Sequence, residues 1–267
     1  MTNKQHTILL GAGGVASYLV PAWCKTFPYD NLIIMDGDRL EKRNLDRQLF
    51  DSSAIGQYKA TALAEKYGCH AINEYFDSTN LSSNGLEPKD ISCILCAVDN
   101  HVARYEAIKY SHNNRSWDIS TIIGANEYWT SQAYIFNPTI QEMYLDNKPW
   151  PLFKYPEIAT DKSHDPTNPS CVEQQESAPQ LAGVNMITAS LMLQLALRHT
   201  EQCLIGSNVF SEASKSFRQT LAESAYAPTE FQTTFGATQT QQLIDHDKIK
   251  APTTQKEETS EDKLLLA

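Results

Sequence analysis

A glycine turn, a carboxylate and an arginine, in that order, are the residues of this chain whose types and spacing suit chemistry on a nucleotide. Gly11-x-Gly13-Gly14-x-Ala16 follows the apolar stretch His6–Leu10 and opens a helical pattern. In that context Gly11 permits a tight turn, Gly13 lets backbone come close to a phosphate, and the small Ala16 allows close helix–strand packing. A helix starting there offers unpaired N–H groups and the positive end of its dipole to an anion. Asp36 falls 25 positions after Gly11, at the end of a second apolar stretch. A carboxylate so placed accepts hydrogen bonds from both hydroxyls of a ribose. Asp38 completes an Asp-Gly-Asp motif, and Asn44-Leu45-Asp46-Arg47-Gln48 then brings an arginine near the position of the phosphates. A glycine turn alone is also compatible with a plain connection; with Asp36 it points to nucleotide binding.

Positioning these residues calls for an open sheet. His6–Leu10, Asn31–Met35, His70–Phe76, Ile91–Val98 and Trp117–Ile123 read as strands. They alternate with helices at Val15–Phe27, Gln57–Tyr67 and His101–Ser111, whose apolar residues recur on one side. Pro21 sits inside the first helix, where it removes a backbone hydrogen bond and favours a kink. Such alternation marks a Rossmann-like α/β fold, a mostly parallel sheet with helices on both faces. Gln132–Phe136 and Ile140–Leu145, separated by Asn137-Pro138, read as an antiparallel hairpin that continues it. Residues from about 146 to 180 are rich in proline and poor in aliphatic side chains, as expected of a long crossover loop. Ala182–Arg198 reads as an amphipathic to buried helix. The expected organisation is one domain over residues 1–205, a helical appendage over 206–237 and a disordered tail over 238–267, whose terminal Leu-Leu-Leu-Ala reads as a frayed end.

Composition narrows the function classes. A formal net charge of −10 argues against a sequence-independent nucleic-acid binder, which needs Lys and Arg to displace counterions. No apolar run approaches the roughly 18 residues of a membrane span, and no signal peptide precedes the glycine turn, so the expectation is a cytoplasmic protein. Six cysteines, at positions 24, 69, 93, 96, 171 and 203, are then expected as reduced thiols. Cys93-x-x-Cys96 has metal-ligand spacing, but it lies in a strand-like run where residues three apart point to opposite faces. Both are expected to be buried and inert.

Five motifs stand in order along the chain: GAGGVAS, DGD, Asn44-Leu45-Asp46-Arg47-Gln48, Ile55-Gly56-Gln57-Tyr58-Lys59 and Val98-Asp99-Asn100. Together they resemble the ubiquitin-activating-enzyme superfamily in its single-domain bacterial ThiF/MoeB form. The resemblance covers residues 7–125 and extends more weakly through 165–198. It implies an ATP-dependent adenylyltransferase that activates the C-terminal carboxylate of a small ubiquitin-like or sulfur-carrier protein as an acyl-adenylate, releasing pyrophosphate. The implied site comprises Gly11, Gly13, Gly14 and Asp38 in the nucleotide cradle, Asp36 on the ribose, and Asn44, Arg47 and Lys59 on the phosphates. Asp99 would hold Mg²⁺. Adenylation fits these residue types, because a charged α-phosphate and a pyrophosphate leaving group are steadied by position and positive charge. Taken singly, Arg47 and Lys59 are compatible with solvated surface charges, and Asp99-Asn100 with a cap on the following helix.

The resemblance also implies a possible second step. Cys171, in the segment Ser170-Cys171-Val172-Glu173, stands where family members can carry a nucleophilic cysteine for transfer to sulfur, with Lys162, His164 and Glu173 nearby in sequence. An inert loop thiol is the alternative, since reactivity needs exposure and a lowered pKa. Two features depart from the family pattern. Residues 140–210 contain only Cys171 and Cys203, so no zinc site of paired Cys-x-x-Cys motifs is expected. The family's helical N-terminal extension, source of an arginine for the partner subunit's site, is missing; Arg39, Lys42 and Arg43 are candidate substitutes. The zinc-less, divergent second half is similar to ThiF-like proteins of bacterial mobile elements. A homodimer is expected from the resemblance. The competing readings are an NAD(P)-dependent oxidoreductase and a non-catalytic carrier-binding partner. Against the first, no His/Asp pair at convincing spacing is found in the second half.

Overall fold

The computed structural model of the chain describes residues 6–27, 31–126, 130–139, 144–145, 148–162, 181–205 and 230–234. The chain divides into two units, Met1–Thr233 and Thr234–Ala267; of the second, only Thr234 lies within the described residues.

Strands β1 (His6–Leu10), β2 (Asn31–Met35), β3 (His70–Ile72), β4 (Ile91–Cys96) and β5 (Ser120–Asn126) are parallel neighbours. The antiparallel strand β6 (Thr130–Phe136) follows beside β5. With a short strand at Glu230–Thr234 on the far edge, the order across the described sheet places β3 and β2 on one side of β1, and β4, β5 and β6 on the other. Helices α1 (Gly14–Thr26), α2 (Lys59–Tyr67), α3 (Ser78–Ser83) and α4 (His101–Asn113) fill the crossovers. This is the Rossmann-like α/β architecture that the alternating pattern predicts. β1 has β2 on one flank and β4 on the other, so the chain reverses its winding there and leaves a crevice at the strand ends.

The strands are apolar on both faces, and their period of two sorts the side chains into two cores. Leu9, Ile34, Leu95 and Ile122 face α1 and α2, together with a long helix at Ala182–Ile205. Ile8, Leu10, Ile33, Met35, Ile94 and Ile123 face the other way, toward Leu81 of α3 and Ala107 and Ile108 of α4. Each such side chain contributes roughly 1.5–3 kcal/mol through burial. Cys93 and Cys96 fall in opposite cores, 8% and 0% exposed, as the strand period requires. Burial pushes the Cys96 thiol up to about 11, outside the range of a reactive thiolate.

Several boundaries differ from the sequence expectations. β3 stops at Ile72 rather than Phe76, and β5 starts at Ser120 rather than Trp117. Asp118 has left-handed backbone, φ 54°, which ends a 3₁₀ turn at Arg115–Trp117 before the strand can begin. Of the expected hairpin between 132–136 and 140–145, residues 140–143 lie outside the described residues. β6 pairs with β5, from Thr121 opposite Phe136 to Asn126 opposite Ser131. The Asn137 amide fixes the end of this pairing: Nδ2 donates to Ser120 Oγ at 2.9 Å, while Oδ1 accepts from Thr139 N–H at 2.8 Å. Tyr144–Leu145 pair locally with Lys148–Pro149. The expected loop from 146 carries two short helices, α5 (Trp150–Lys154) and α6 (Glu157–Thr160), with Trp150 buried against Tyr134. The helix expected over 182–198 runs on to 205 and is α7 here. Residues 163–180, with Cys171, and the expected tail over 238–267 lie outside the described residues.

Candidate active site

The three strand ends that meet at the crevice carry the motifs. The turn after β1 holds Gly11–Gly14, the loop after β2 holds Asp36–Asp38, and the segment after β4 holds Asp99 and Asn100. Gly11 donates its N–H to Met35 O at 2.9 Å and has φ +85°. A Cβ on it would stand 3.0 Å from Ala97 O, so both conformation and space call for glycine there. Gly13 is the N-terminal cap of α1; no side chain caps that helix, and a Cβ on Gly13 would meet nothing within 4 Å. The first-turn N–H groups of an uncapped helix are the donors that such an end offers to an anion.

Asp36 closes the cradle. It is 8% exposed; Oδ2 accepts from Ala12 N–H at 2.6 Å and Oδ1 from Asp38 N–H at 2.7 Å. Burial, with the neighbouring Asp38 charge, pushes its carboxyl up to about 6, against the opposite pull of Lys59 and the two N–H groups. Burial also acts to raise Asp38, but Lys59, the Tyr75 hydroxyl and Arg43 outweigh it and hold that carboxyl below its ordinary value. Lys59 Nζ meets Asp38 Oδ2 at 2.7 Å. The lysine is 8% exposed because it opens α2, and its own N–H donates to Asp38 O at 2.9 Å. Lys59 is thus no solvated surface charge.

Arg47 is half-buried on the other side of the glycine turn, and its Nη1 approaches Arg43 O at 3.5 Å. Its segment is pinned to α1: Leu49 N–H donates to Ser17 Oγ at 3.1 Å, and that hydroxyl donates to Gly14 O at 2.8 Å. Asn44 is buried, with Oδ1 accepting from Glu41 N–H at 3.0 Å. Its oxygen thereby shapes the loop. Asp99 is exposed. The capping role considered for Asp99-Asn100 falls to Asn100, whose Oδ1 accepts from Ala103 N–H at 2.8 Å. Among the candidate substitute cations, Arg39 stacks on Tyr58 at 4.0 Å and donates to Gly56 O, and Arg43 pairs with Glu41 at 2.6 Å.

Four residues of the crevice escaped the sequence reading. Tyr75 donates its hydroxyl to Asp38 and lies against Gly37. Arg104, on the first turns of α4, donates to Val98 O at 3.0 Å. Gln48, quoted within the arginine motif but given no role, is 7% exposed and its Oε1 has no protein partner. Asn185, 0% exposed on α7, is the fourth. Its amide occupies the space a Cβ on Gly14 would need, accepts from Asn126 Nδ2 at 2.6 Å and donates to Arg47 O at 3.3 Å. Only an Asn within an apolar helix hinted at it.

A family model described as the ThiF family matches residues 2–230. The chain belongs to the ThiF family. Members of this family are adenylating enzymes, which sets the oxidoreductase reading aside. Among solved structures, PaaA is 14% identical with a TM-score of 0.54, over 88% of this chain and 71% of PaaA. The Escherichia coli tRNA N6-threonylcarbamoyladenosine dehydratase TcdA, solved also in complex with AMP, is 15% identical with a TM-score of 0.53, over 76% of this chain and 88% of TcdA. At such identity they share the fold with this ThiF-family chain. No curated protein sequence matches it.

Two predictions follow from the geometry of this ThiF-family site. Protonating Asp36 leaves one oxygen fewer for the N–H groups and the ribose, so AMP affinity should fall as pH drops through about 6 and level off above 7. Its stability linkage has the opposite sign: a raised carboxyl favours the folded state below pH 3.8, and that contribution is lost as pH rises to about 6. Calorimetric titration from pH 5 to 8 checks this against Asp36→Asn, which should bind weakly and keep only the step that belongs to the AMP phosphate, whose second pKa is also about 6. Asn185→Ala should weaken AMP binding roughly 10-fold, the equivalent of one hydrogen-bonded contact. Unchanged affinity in a folded variant would remove Asn185 from the site.

Proposed function

We propose that this protein catalyses ATP-dependent adenylation of a C-terminal carboxylate on a small ubiquitin-like or sulfur-carrier protein, or on a peptide. The observation that carries this reading is the convergence, at one sheet end, of an uncapped helix N-terminus, a buried carboxylate and a buried lysine. Asp36 takes the ribose hydroxyls, and the Gly13 end of α1 receives the phosphates. Arg47, Lys59 and the Asn44 amide spread positive charge and donors over the phosphate chain, where the transition state gathers negative charge. The carboxylate oxygen of the partner attacks the α-phosphorus, the bond to the bridging oxygen breaks, and pyrophosphate leaves with the electron pair. The exposed Asp99 carboxylate, next to the Val98 carbonyl that Arg104 of α4 binds, has the oxygen chemistry to hold Mg²⁺, which would neutralise phosphate charge there.

Family membership and the AMP complex of TcdA support the choice of nucleotide. For transfer, Cys171 is the nucleophile this reading offers, its thiolate displacing AMP to leave a thioester. A cytoplasmic setting is part of the same proposal; among the described residues no helix is long and apolar enough to cross a membrane.

A homodimer also belongs to this reading. Tyr18 and Pro21 of α1, Leu49, and Met186 and Leu193 of α7 line an apolar groove of about 410 Å³, with Met186 52% exposed. Light scattering should give twice the monomer mass, and Met186→Glu should give the monomer. A monomeric parent protein would end the dimer proposal.

The reaction is tested by ATP–pyrophosphate exchange with a panel of Gly-Gly-ended carriers and short peptides. Asp99→Ala should lower exchange at least 100-fold, in line with losing one charged group at a phosphoryl centre. Cys171→Ala should keep exchange and lose a trappable thioester. Absence of exchange with every carrier, while AMP still binds, would overturn the adenylation proposal.

A further inference from the structure

Two thiols outside the nucleotide crevice form a pair. Cys24 lies in the last turns of α1, and Cys69 follows α2 by two residues. They are 45 positions apart in sequence, yet their Sγ atoms stand 3.4 Å from each other. Local geometry delivers them. Gly68 has left-handed backbone, φ +74°, and its N–H and that of Cys69 both return to Ala64 O, which turns the chain sharply at the end of α2. Trp23 and Phe27 pack ring to ring at 4.4 Å beside the pair.

Access separates this pair from the other described cysteines. Cys93 and Cys96 are enclosed in the two cores, whereas Cys24 and Cys69 are half-buried. Both line a cavity of about 170 Å³, bordered by Trp23, Phe27, Tyr67 and His70. A small reagent can therefore reach sulfurs that already touch.

We propose that Cys24 and Cys69 form a reversible dithiol–disulfide site, oxidised by a low-molecular-weight disulfide such as oxidised glutathione. One thiolate attacks a glutathione sulfur, a mixed disulfide forms, and one glutathione thiolate leaves. The second cysteine thiolate attacks the cysteine sulfur of that intermediate and expels the other glutathione. Both cysteine protons pass to the departing thiolates, and the two electrons end on glutathione. Closing the bond shortens the sulfur separation from 3.4 Å to about 2.05 Å. The bond ties the far ends of the two helices whose near ends hold Gly14 and Lys59 in the nucleotide site.

The test does not depend on the adenylation reading. The full-length reduced protein is incubated with oxidised glutathione, then examined by intact mass, non-reducing peptide mapping and thermal unfolding. A linked Cys24–Cys69 peptide, a mass loss of two hydrogens and a midpoint raised by about 5 °C, all reversed by dithiothreitol, are expected. Cys24→Ser and Cys69→Ser should each abolish the linked peptide. A stable glutathione adduct on either cysteine, a link between other cysteines, or no reaction in the folded protein would overturn the proposal. The mapping is done on the unsubstituted chain, so it holds even where a variant fails to fold.

Discussion

The nucleotide crevice depends on a single carboxylate serving two backbone N–H groups. Asp36 takes Ala12 N–H with one oxygen and Asp38 N–H with the other, and so joins the turn after β1 to the loop after β2. Both donors would otherwise be left without partners at a buried point, a cost of about 1–3 kcal/mol each. With them satisfied, Gly11 can hold its left-handed conformation against Ala97, and α1 can begin at Gly14 without a side-chain cap. Burial opposes this carboxylate's charge, which is why its proton affinity is raised even though two donors and Lys59 favour ionisation.

The neighbouring carboxylate has the opposite fate for reasons equally local. Asp38 is two residues from Asp36 and carries the same functional group, but it meets Lys59, Tyr75 and Arg43. The ammonium it holds is the one that phosphates would recruit. An ion pair at 2.7 Å fixes Lys59 Nζ beside the crevice and leaves its remaining N–H donors available. One Asp-Gly-Asp motif thus supplies a carboxylate suited to neutral hydroxyls and another suited to storing a cation. This division comes from what each side chain faces, and composition alone carries no trace of it.

That contrast explains which features could be read from the chain. The apolar runs Asn31–Met35 and Ile91–Cys96 announce buried parallel strands, because both faces of such strands must be covered. The opposite placement of Cys93 and Cys96 follows from strand period, without knowledge of any neighbour. The motif residues at the strand ends were legible for the same reason: turn and strand sit within a few positions of each other. The β6 pairing was not, because its end is set by a hydrogen bond from the Asn137 side-chain amide to the Ser120 hydroxyl, across 17 positions. Tyr75 was missed because β3 ends early and the chain doubles back over Gly37. The proximity of Cys24 and Cys69 rests on where two separate helices end, and no local pattern records it.

Asn185 is the limiting case, separated by 138 positions from the carbonyl it touches. Its place in the site has a consequence for how the two halves of the described fold cooperate. Gly14 lacks a side chain, and the space is taken by an amide from α7 instead of solvent. That amide reads three segments at once: the first turn of α1, the Arg47 carbonyl and the end of β5 through Asn126. A shift of α7 along its axis would have to break these contacts or drag the arginine segment with it, since packed interiors resist gradual deformation. The nucleotide cradle belongs to the first half of the chain, but the position of its arginine is set jointly with the second. Any displacement of α7 would therefore be felt at the arginine segment beside the glycine turn.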